Sequence, residues 1–218
     1  MKYKAVIFDL DGTLIDSMGV WLQVDEEYLS KRNIPVPENL FQDIEGGNSF
    51  VEVAQYFKDK FGIKDSIDEI AKEWTSMVEK HYKNDVPLKN KVREFLQYLK
   101  ENKVKIGVGT SNSEFLAKTV LEANGVLDYF ETIVDGFQIT KGKPNPDIFL
   151  KVAQDLNVNP ADCLVIEDVL AGVKAAKKAE MTVFAIYDEH AEIEQNEIKK
   201  IADFYANNFD EILEIIKS

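Results

Sequence analysis

Cysteine and histidine are nearly absent from this sequence. Among its 218 residues there is one cysteine, Cys163, and there are two histidines, His81 and His190. A single cysteine cannot form an intrachain disulfide, so we expect a reducing compartment and a cytoplasmic protein. Neither histidine stands near a polar motif, and a catalytic triad built on histidine is therefore not expected.

Long hydrophobic runs are missing as well. No stretch approaches the roughly 18 apolar residues of a membrane span. The apolar run that follows Lys2 and Lys4 extends only over residues 5–8 before Asp9 interrupts it. A signal peptide needs about 7 to 15 apolar residues. We therefore expect neither a membrane span nor a secretory signal.

Positive charge is scarce relative to negative charge. The chain has 26 lysines and arginines against 39 aspartates and glutamates, which gives a net charge of −13. Nucleic acids and anionic membranes bind basic surfaces, so neither is expected as a partner. A small anionic metabolite held by one or two local cations remains compatible with this charge. The sequence carries no signal for an oligomeric state.

The composition, with 45% hydrophobic and 30% charged residues, is typical of a soluble globular protein. Short apolar runs rich in β-branched residues predict buried strands at residues 4–8, 104–108, 132–134, 163–166 and 182–186. Amphipathic helical patterns separate these runs. The alternation predicts an α/β fold with a parallel sheet and right-handed crossover connections.

One region interrupts this alternation. Residues 16–84 contain no convincing strand, and a Pro35-Val36-Pro37 turn stops the first of their helical patterns. These patterns cover residues 18–32, 50–61 and 67–81. A connection of about 70 residues is too long for an ordinary loop. We therefore expect a helical cap at residues 16–84, inserted into a core made of residues 1–15 and 85–218.

Two aspartates end the first apolar run. Asp9 and Asp11 stand one residue apart, directly before Gly12 and Thr13. Burying an unpaired carboxylate is costly, and two neighbouring carboxylates also repel each other. Residues i and i+2 leave a strand on the same face, about 6–7 Å apart, so both can address one bound group. A cation, or a group to be attacked, is expected beside them.

The carboxyl ends of the other predicted strands also carry polar side chains. Ligands of open α/β sheets bind beyond these ends, which makes the residues there site candidates. They comprise hydroxyl and amide donors, one cation and two further acids: Thr110, Ser111, Asn112, Lys143, Glu167 and Asp168. Ser111 also begins an S-x-x-E pattern with Glu114, which predicts the N-cap of a helix.

Carboxylates without histidine or cysteine among them suit Mg²⁺. The expected metal ligands are Asp9, Asp11, Glu167 and Asp168. A phosphate would explain the remaining groups, because hydroxyls, backbone N–H groups and a lysine all bind its oxygens. The expected phosphate-binding residues are Thr110, Ser111, Asn112 and Lys143.

With a phosphate in the site, the two aspartates divide the chemistry. Asp9 would attack phosphorus and form an aspartyl phosphate. Asp11 would protonate the departing oxygen and then activate the water that hydrolyses the intermediate. Lys143 and the metal would screen the charge of Asp9 and stabilise the phosphoryl oxygens. The catalytic residues expected from this argument are Asp9, Asp11, Thr110 and Lys143.

Four segments together resemble the motifs of the haloacid dehalogenase superfamily, in the same order. They are Asp9-Leu10-Asp11-Gly12-Thr13, Thr110-Ser111-Asn112, Lys143-Pro144-Asn145-Pro146-Asp147 and Ile166-Glu167-Asp168. The resemblance covers residues 1 to about 190 and is greatest to the hydrolases similar to β-phosphoglucomutase and phosphoglycolate phosphatase, whose helical cap follows the first motif.

The resemblance implies a Rossmann-like core, bound Mg²⁺, Asp9 as the nucleophile, and Asp11 as an acid/base whose backbone carbonyl also binds the metal. It further implies Thr110 and Lys143 on the phosphoryl group. Glu167 and Asp168 would lie on the metal side. Dehalogenases of the superfamily lack the second aspartate, so the presence of Asp11 argues against dehalogenation.

The leading hypothesis is a Mg²⁺-dependent phosphatase acting on a small phosphate monoester such as a sugar phosphate, phosphoglycolate or a nucleotide. The first alternative is a mutase of the β-phosphoglucomutase type. The pattern of those mutases has a histidine where this chain has Trp21, and basic cap residues where this chain has residues 45–49, which contain no cation. Residues 16–84 hold 8 lysines and arginines against 14 acids, which does not favour binding of a second phosphate. The second alternative is a non-catalytic phosphate-binding or regulatory protein of the same fold. We expect Trp21 and the Gly46-Gly47 loop to influence substrate choice.

Overall fold

A computed structural model of the chain describes residues 2–37, 40 and 50–217. Its centre is a parallel sheet of six strands in the order β3-β2-β1-β4-β5-β6. The strands are β1 Ala5–Phe8, β2 Lys105–Gly109, β3 Thr132–Val134, β4 Cys163–Glu167, β5 Thr182–Ile186 and β6 Phe204–Ala206. Phe8 pairs with Val108 and with Ile166. The three central strands therefore end at the same level.

Helices surround the sheet. They are α1 Met18–Ser30, α2 Phe50–Phe61, α3 Ile67–Asn84, α4 Val92–Glu101, α5 Glu114–Ala123, α6 Asp147–Asp155, α7 Leu170–Lys178, α8 Gln195–Ile201 and α9 Phe209–Lys217. Val6 and Phe8 of β1 belong to a hydrophobic cluster with α4, α5 and α9. Ala5 and Ile7 belong to a second cluster with α6, α7 and α8. Alternate side chains of the central strand thus support opposite faces of the sheet.

The cap helices α1, α2 and α3 lie between β1 and α4 in the chain. Tyr28, Phe57 and Trp74 pack edge to face in the cap, with ring centroids 5.0 to 6.0 Å apart. Ser66 starts α3 with a capping box, in which its side chain accepts from the N–H of Glu69 and the Glu69 carboxylate accepts from the N–H of Ser66. These contacts fix the relative placement of the cap helices.

The predicted α/β fold, with a parallel sheet and an inserted helical cap, is confirmed. The strand β6 was not predicted, because it is three residues long and lies at the sheet edge with Phe204 exposed. Helix α1 ends at Ser30, two residues before the predicted end. The boundaries at residues 15/16 and 84/85 stay a prediction. None of the helices in the described ranges has the length and apolar character needed to cross a membrane.

Candidate active site

The predicted site residues follow the ends of neighbouring strands. Asp9 comes directly after β1, Thr110 directly after β2, and Glu167 is the last residue of β4. The N–H of Asp9 donates to the carbonyl of Ile166 at 3.0 Å, and the N–H of Thr110 donates to that of Val134 at 3.0 Å. All three side chains are buried. Strand pairing thus continues to the residues that would do the chemistry.

Lys143 connects Asp9 with Glu167. Its Nζ lies 2.5 Å from Asp9 Oδ1 and 2.6 Å from Glu167 Oε1, and its side chain is 1% exposed. The second oxygen of Glu167 accepts from the N–H of Val169 at 2.8 Å. Burial raises the pKa of Asp9 to about 7, against the lowering effect of Lys143 and with a further rise from Glu167. Burial lowers the pKa of Lys143, but the two carboxylates outweigh it and raise that pKa overall.

Asp168 lies against the loop that carries the two aspartates. Thr13 Oγ1 donates to Asp168 Oδ1 at 2.6 Å. Gly12 has a φ of +83°, and a Cβ there would lie 2.3 Å from Asp168 Oδ2, so only glycine allows this approach. Burial, followed by the charges of Glu167 and Asp9, raises the pKa of Asp168 well above its usual value.

The group Asp9, Glu167, Asp168 and Lys143 carries three negative charges and one positive charge when ionised. A buried excess of negative charge is unfavourable without a further cation, and this donor set consists of hard oxygens, which Mg²⁺ prefers. The site therefore fits a divalent cation. In the described ranges no group of three or more His, Cys, Asp or Glu residues could hold a metal ion by itself. Mg²⁺ does not need such a group, because it commonly binds one or two carboxylates together with water and phosphate oxygens.

Asp11 has surroundings of a different kind. Its Oδ1 accepts hydrogen bonds from Ser17 Oγ at 2.6 Å, from Trp21 Nε1 at 3.0 Å and from the hydroxyl of Tyr82. Its Oδ2 accepts from Asn112 Nδ2 at 3.1 Å. All four donors are uncharged. Trp21 lies on α1 and Tyr82 on α3, so the cap contacts this carboxylate directly.

The segment after β2 is a compact polar turn. Thr110 Oγ1 accepts from the N–H of Asn112 at 3.0 Å, and Asn112 Oδ1 accepts from the N–H of Ser113 at 2.8 Å. The N-cap prediction for Ser111 was wrong, because Ser113 caps α5 by accepting from the N–H of Leu116. The Ser111 side chain is therefore not the cap of that helix.

The structure brings most of the predicted residues into two groups, one around Asp9 and one around Asp11. Asn112 joins the second group, while Glu167 contacts Lys143. That Asn112 binds phosphate stays a prediction. That Glu167 and the Asp11 side chain bind the metal stays a prediction as well. Sequence reasoning missed Thr13, Ser17 and Tyr82. The first two follow the aspartates closely enough to have been considered, whereas nothing in the sequence marks Tyr82. The Gly46-Gly47 loop lies outside the described residues.

The remaining candidates lie elsewhere. His81 pairs with Asp85 at 3.2 Å, and His190 pairs with Asp188 at 3.1 Å. Cys163 is buried in β4, where burial raises the pKa of its thiol to about 11. Such a thiol is a poor nucleophile at neutral pH.

Comparison with known proteins gives consistent matches. The family model of haloacid dehalogenase-like hydrolases matches residues 6–186. A phosphorylated carbohydrates phosphatase of Thermotoga maritima is 31% identical over 176 residues, covering 81% of each chain. A β-phosphoglucomutase of Bacillus subtilis is 30% identical over 191 residues, covering 82% of this chain and 80% of that protein. The crystal structure of a β-phosphoglucomutase from Clostridium difficile has a TM-score of 0.81 and 26% identity, covering 99% of this chain and 96% of that one.

The matched range 6–186 contains every predicted site residue, from Asp9 to Asp168. The resemblance that the four motifs indicated is confirmed, and so is the prediction of an enzyme. The chain belongs to the haloacid dehalogenase-like hydrolase family.

Proposed function

We propose that this enzyme is a Mg²⁺-dependent phosphatase that hydrolyses a small phosphate monoester through an aspartyl phosphate on Asp9. The observation that carries the proposal is the contrast between two carboxylates at the end of one strand. Asp9 lies 2.5 Å from a buried lysine, whereas Asp11 is surrounded by uncharged hydrogen-bond donors. Paired carboxylates in different environments are suited to different steps of one reaction.

In the first step an oxygen of Asp9 attacks phosphorus while the bond from phosphorus to the ester oxygen breaks. Asp11 gives its proton to that departing oxygen, and the alcohol leaves. In the second step Asp11 takes a proton from water, whose oxygen attacks phosphorus. The bond between Asp9 and phosphorus then breaks, which releases inorganic phosphate and restores both side chains.

The other residues bind and orient the phosphoryl group. Lys143 offsets the negative charge that gathers on its oxygens. Thr110 and Ser111 stand at the rim directly after β2, where hydroxyl and backbone N–H groups bind phosphate oxygens. Asp9, Asp168 and the backbone carbonyl of Asp11 would hold Mg²⁺. When bound there, Mg²⁺ neutralises charge between the nucleophile and the phosphate.

A phosphorylated carbohydrate is the substrate class that we favour, because the Thermotoga maritima relative is named for such substrates. Hydrolysis is favoured over a mutase reaction. In the described part of the cap, two of the cations form ion pairs with acids of the cap itself. Lys31 pairs with Glu27, and Arg32 pairs with Asp65 and Glu73. No lysine or arginine of that part contacts Asp9, Asp11 or Thr110. The described part of the cap thus brings no cation to these residues, which does not favour the binding of a second phosphate that a mutase needs.

Trapping the covalent intermediate tests the mechanism. The Asp11→Asn variant should form the aspartyl phosphate faster than it hydrolyses it, because the base for the second step is missing. The ester for this test is 2,4-dinitrophenyl phosphate, because its leaving group departs without a proton from Asp11. Acid quenching during turnover, followed by borohydride reduction, should convert Asp9 to homoserine, which mass spectrometry detects. The matched variant with Asp9→Asn added should show no such product. An unmodified Asp9 during turnover contradicts the proposal.

The products distinguish hydrolysis from the mutase reaction. With β-glucose 1-phosphate and Mg²⁺, we expect inorganic phosphate and free glucose. Formation of glucose 6-phosphate without release of phosphate would show that the hydrolase assignment is wrong. A panel of sugar phosphates, phosphoglycolate and nucleotides, assayed for phosphate release, then identifies the preferred ester.

A further inference from the structure

We propose that Tyr82 of the cap is a positioning residue that orients the carboxyl group of Asp11 for proton transfer, with Trp21 as its partner. The proposal rests on the proposed function, because it concerns the acid/base of that reaction. Tyr82 is completely buried near the end of α3. Its hydroxyl contacts Asp11 Oδ1 directly, from a position 71 residues further along the chain.

The hydrogen bonds around the Tyr82 hydroxyl give it a single orientation. Trp21 Nε1 donates to its oxygen at 3.1 Å, and Asn112 Nδ2 donates to the same oxygen at 3.2 Å. A phenolic oxygen that accepts from two N–H donors has its own proton left to donate. The Ser17 hydroxyl also lies within hydrogen-bond reach of Tyr82, but it donates its own proton to Asp11 Oδ1. The Tyr82 O–H group donates to the same carboxylate oxygen.

The rings themselves are held in place. Trp21 and Tyr82 meet edge to face, with ring centroids 6.4 Å apart and an interplanar angle of 87°. Both aromatic side chains have few rotatable bonds, and the burial of Tyr82 restricts its rotation further. The Asp11 side chain is partly exposed at the site. Rigid groups of the cap thus hold Oδ1 of the Asp11 carboxyl group, and Asn112 of the core holds Oδ2.

Orientation of this carboxyl group is important for one class of substrate. A proton must reach the ester oxygen when the leaving group is a poor one, such as an alkoxide or phenoxide. A strongly acidic leaving group such as 2,4-dinitrophenolate departs without a proton. A misdirected Asp11 should therefore slow the first kind of ester much more than the second. A general disturbance of the fold or of phosphate binding would slow both.

The test compares Tyr82→Phe with the wild-type enzyme on phenyl phosphate and on 2,4-dinitrophenyl phosphate, both with Mg²⁺ and under single-turnover conditions. We expect the rate of aspartyl phosphate formation to fall about tenfold or more with phenyl phosphate and less than about twofold with the dinitrophenyl ester. The substrate concentration at half-maximal rate should stay unchanged, because Tyr82 is not among the residues that the proposed mechanism assigns to phosphate binding.

Tyr28→Phe is the matched control. Tyr28 is equally buried in the cap, on α1, and its hydroxyl makes no hydrogen bond to the site. This variant should leave both rates unchanged. If Tyr82→Phe unfolds, Trp21→Phe removes the N–H donor shared by the Tyr82 hydroxyl and Asp11 Oδ1, and it should give the same selective loss.

The outcomes separate two kinds of failure. Equal rate losses on both esters, or no loss on either, in an active enzyme would overturn the positioning role and leave the proposed phosphatase intact. A wild-type enzyme that releases phosphate from neither ester would overturn the proposed function, and the positioning role with it.

Discussion

Asp9 and Asp11 are separated by one residue, yet the two sides of the site are built differently. The Asp9 side consists of charged groups from the core: Lys143, Glu167 and Asp168. The Asp11 side consists of uncharged donors, three of which lie within the predicted cap: Ser17, Trp21 and Tyr82. A strand that presents successive same-face residues to one ligand can thus give each of them its own electrostatic surroundings.

The difference has a consequence for how each side depends on the rest of the molecule. The charged side is fixed by pairing between β1 and β4 and by one lysine from the loop after β3. The uncharged side depends on how α1 and α3 pack over the sheet. Changes in the core should therefore affect every substrate alike, whereas changes in the cap should depend on the leaving group.

The largest effect is expected when the two aspartates are exchanged for asparagine one at a time. Asp9→Asn removes the nucleophile and should lower kcat at least about 10⁴-fold for every ester. Asp11→Asn leaves the nucleophile in place, and 2,4-dinitrophenyl phosphate needs no proton to react with it. This second variant should give a burst of one dinitrophenolate per active site, followed by slow turnover, when mixed rapidly and followed by absorbance.

The burst also provides the control for this pair. Both variants replace one carboxylate by the amide of the same shape, so they differ only in which side of the site is changed. A burst from Asp9→Asn would contradict the assignment of the nucleophile. Equal multiple-turnover rates without a burst in Asp11→Asn would remove the distinction between the two sides.

A smaller loss of kcat is expected when a methyl group is added next to Glu167, on the charged side of the site. A Cβ at Gly172 of α7 would lie 1.7 Å from Glu167 Oε1, so Gly172→Ala must displace the carboxylate that holds Lys143. We expect kcat to fall on the order of 10²-fold, equally for phenyl and dinitrophenyl phosphate. Gly19→Ala is the control, because beyond its own stretch of helix no atom of the described residues lies within 4 Å of its added Cβ. A loss that depends on the leaving group would contradict the division into two sides.

The sequence predicted the parts of the site that local pattern determines. The Asp9-to-Thr13 segment and the strand before it were recognised because burial, acid spacing and the glycine turn all occur within a few residues. The ends of β2 and β4 were found in the same way. In a parallel sheet, strand ends meet at one rim, so the gathering of Thr110 and Asp168 near Asp9 followed from the topology.

Other features depended on packing that no local pattern specifies. Tyr82 reaches Asp11 only because α3 packs beside α1, and its sequence neighbours Lys83 and Asn84 are exposed surface residues. The choice between Ser111 and Ser113 as the N-cap depended on how far strand pairing extends, since Thr110 still bonds to Val134. The link between Glu167 and Lys143 required the path of the loop after β3.

The only side chains that we expect Mg²⁺ to bind are those of the charged side. Without metal, the carboxylates of Asp9, Glu167 and Asp168 repel one another, so Asp168→Asn should raise the melting temperature of the metal-free protein. With Mg²⁺ at about 100 times its Kd, the wild type should gain about 2.7 kcal/mol, and the variant should gain much less. Differential scanning fluorimetry with and without Mg²⁺ measures both. Asp11→Asn serves as the comparison and should retain most of the gain through its backbone carbonyl. Equal gains in wild type and Asp168→Asn would exclude Asp168 as a ligand.

The smallest expected effect is on the stability of the protein and concerns Asp25. This buried aspartate lacks the hydrogen-bond donors that surround Asp11, so it shows how burial alone affects a carboxyl group. Asp25 lies one helical turn after Trp21 and is buried, but in the described part of the chain it has no hydrogen bond or ion pair. Burial, with a contribution from Glu26, raises its pKa to about 7. Because the folded-state pKa lies above the unfolded one, stability should be highest below about pH 4 for this group and should fall as the pH rises to about 7.

Asp25→Asn removes this titration and should therefore flatten the dependence of stability on pH. At pH 8 we expect the variant to be more stable by on the order of 2 kcal/mol. This is less than the whole pKa shift of Asp25 would give, because water can enter and solvate the ionised carboxylate. At pH 4 the two proteins should be equal, as urea unfolding at each pH would show. Glu26→Gln, at the exposed neighbour, should change stability by less than about 0.5 kcal/mol. If Asp25→Asn is instead destabilising at pH 8, Asp25 is held in its charged form by partners of its own, and the contrast with Asp11 would be lost.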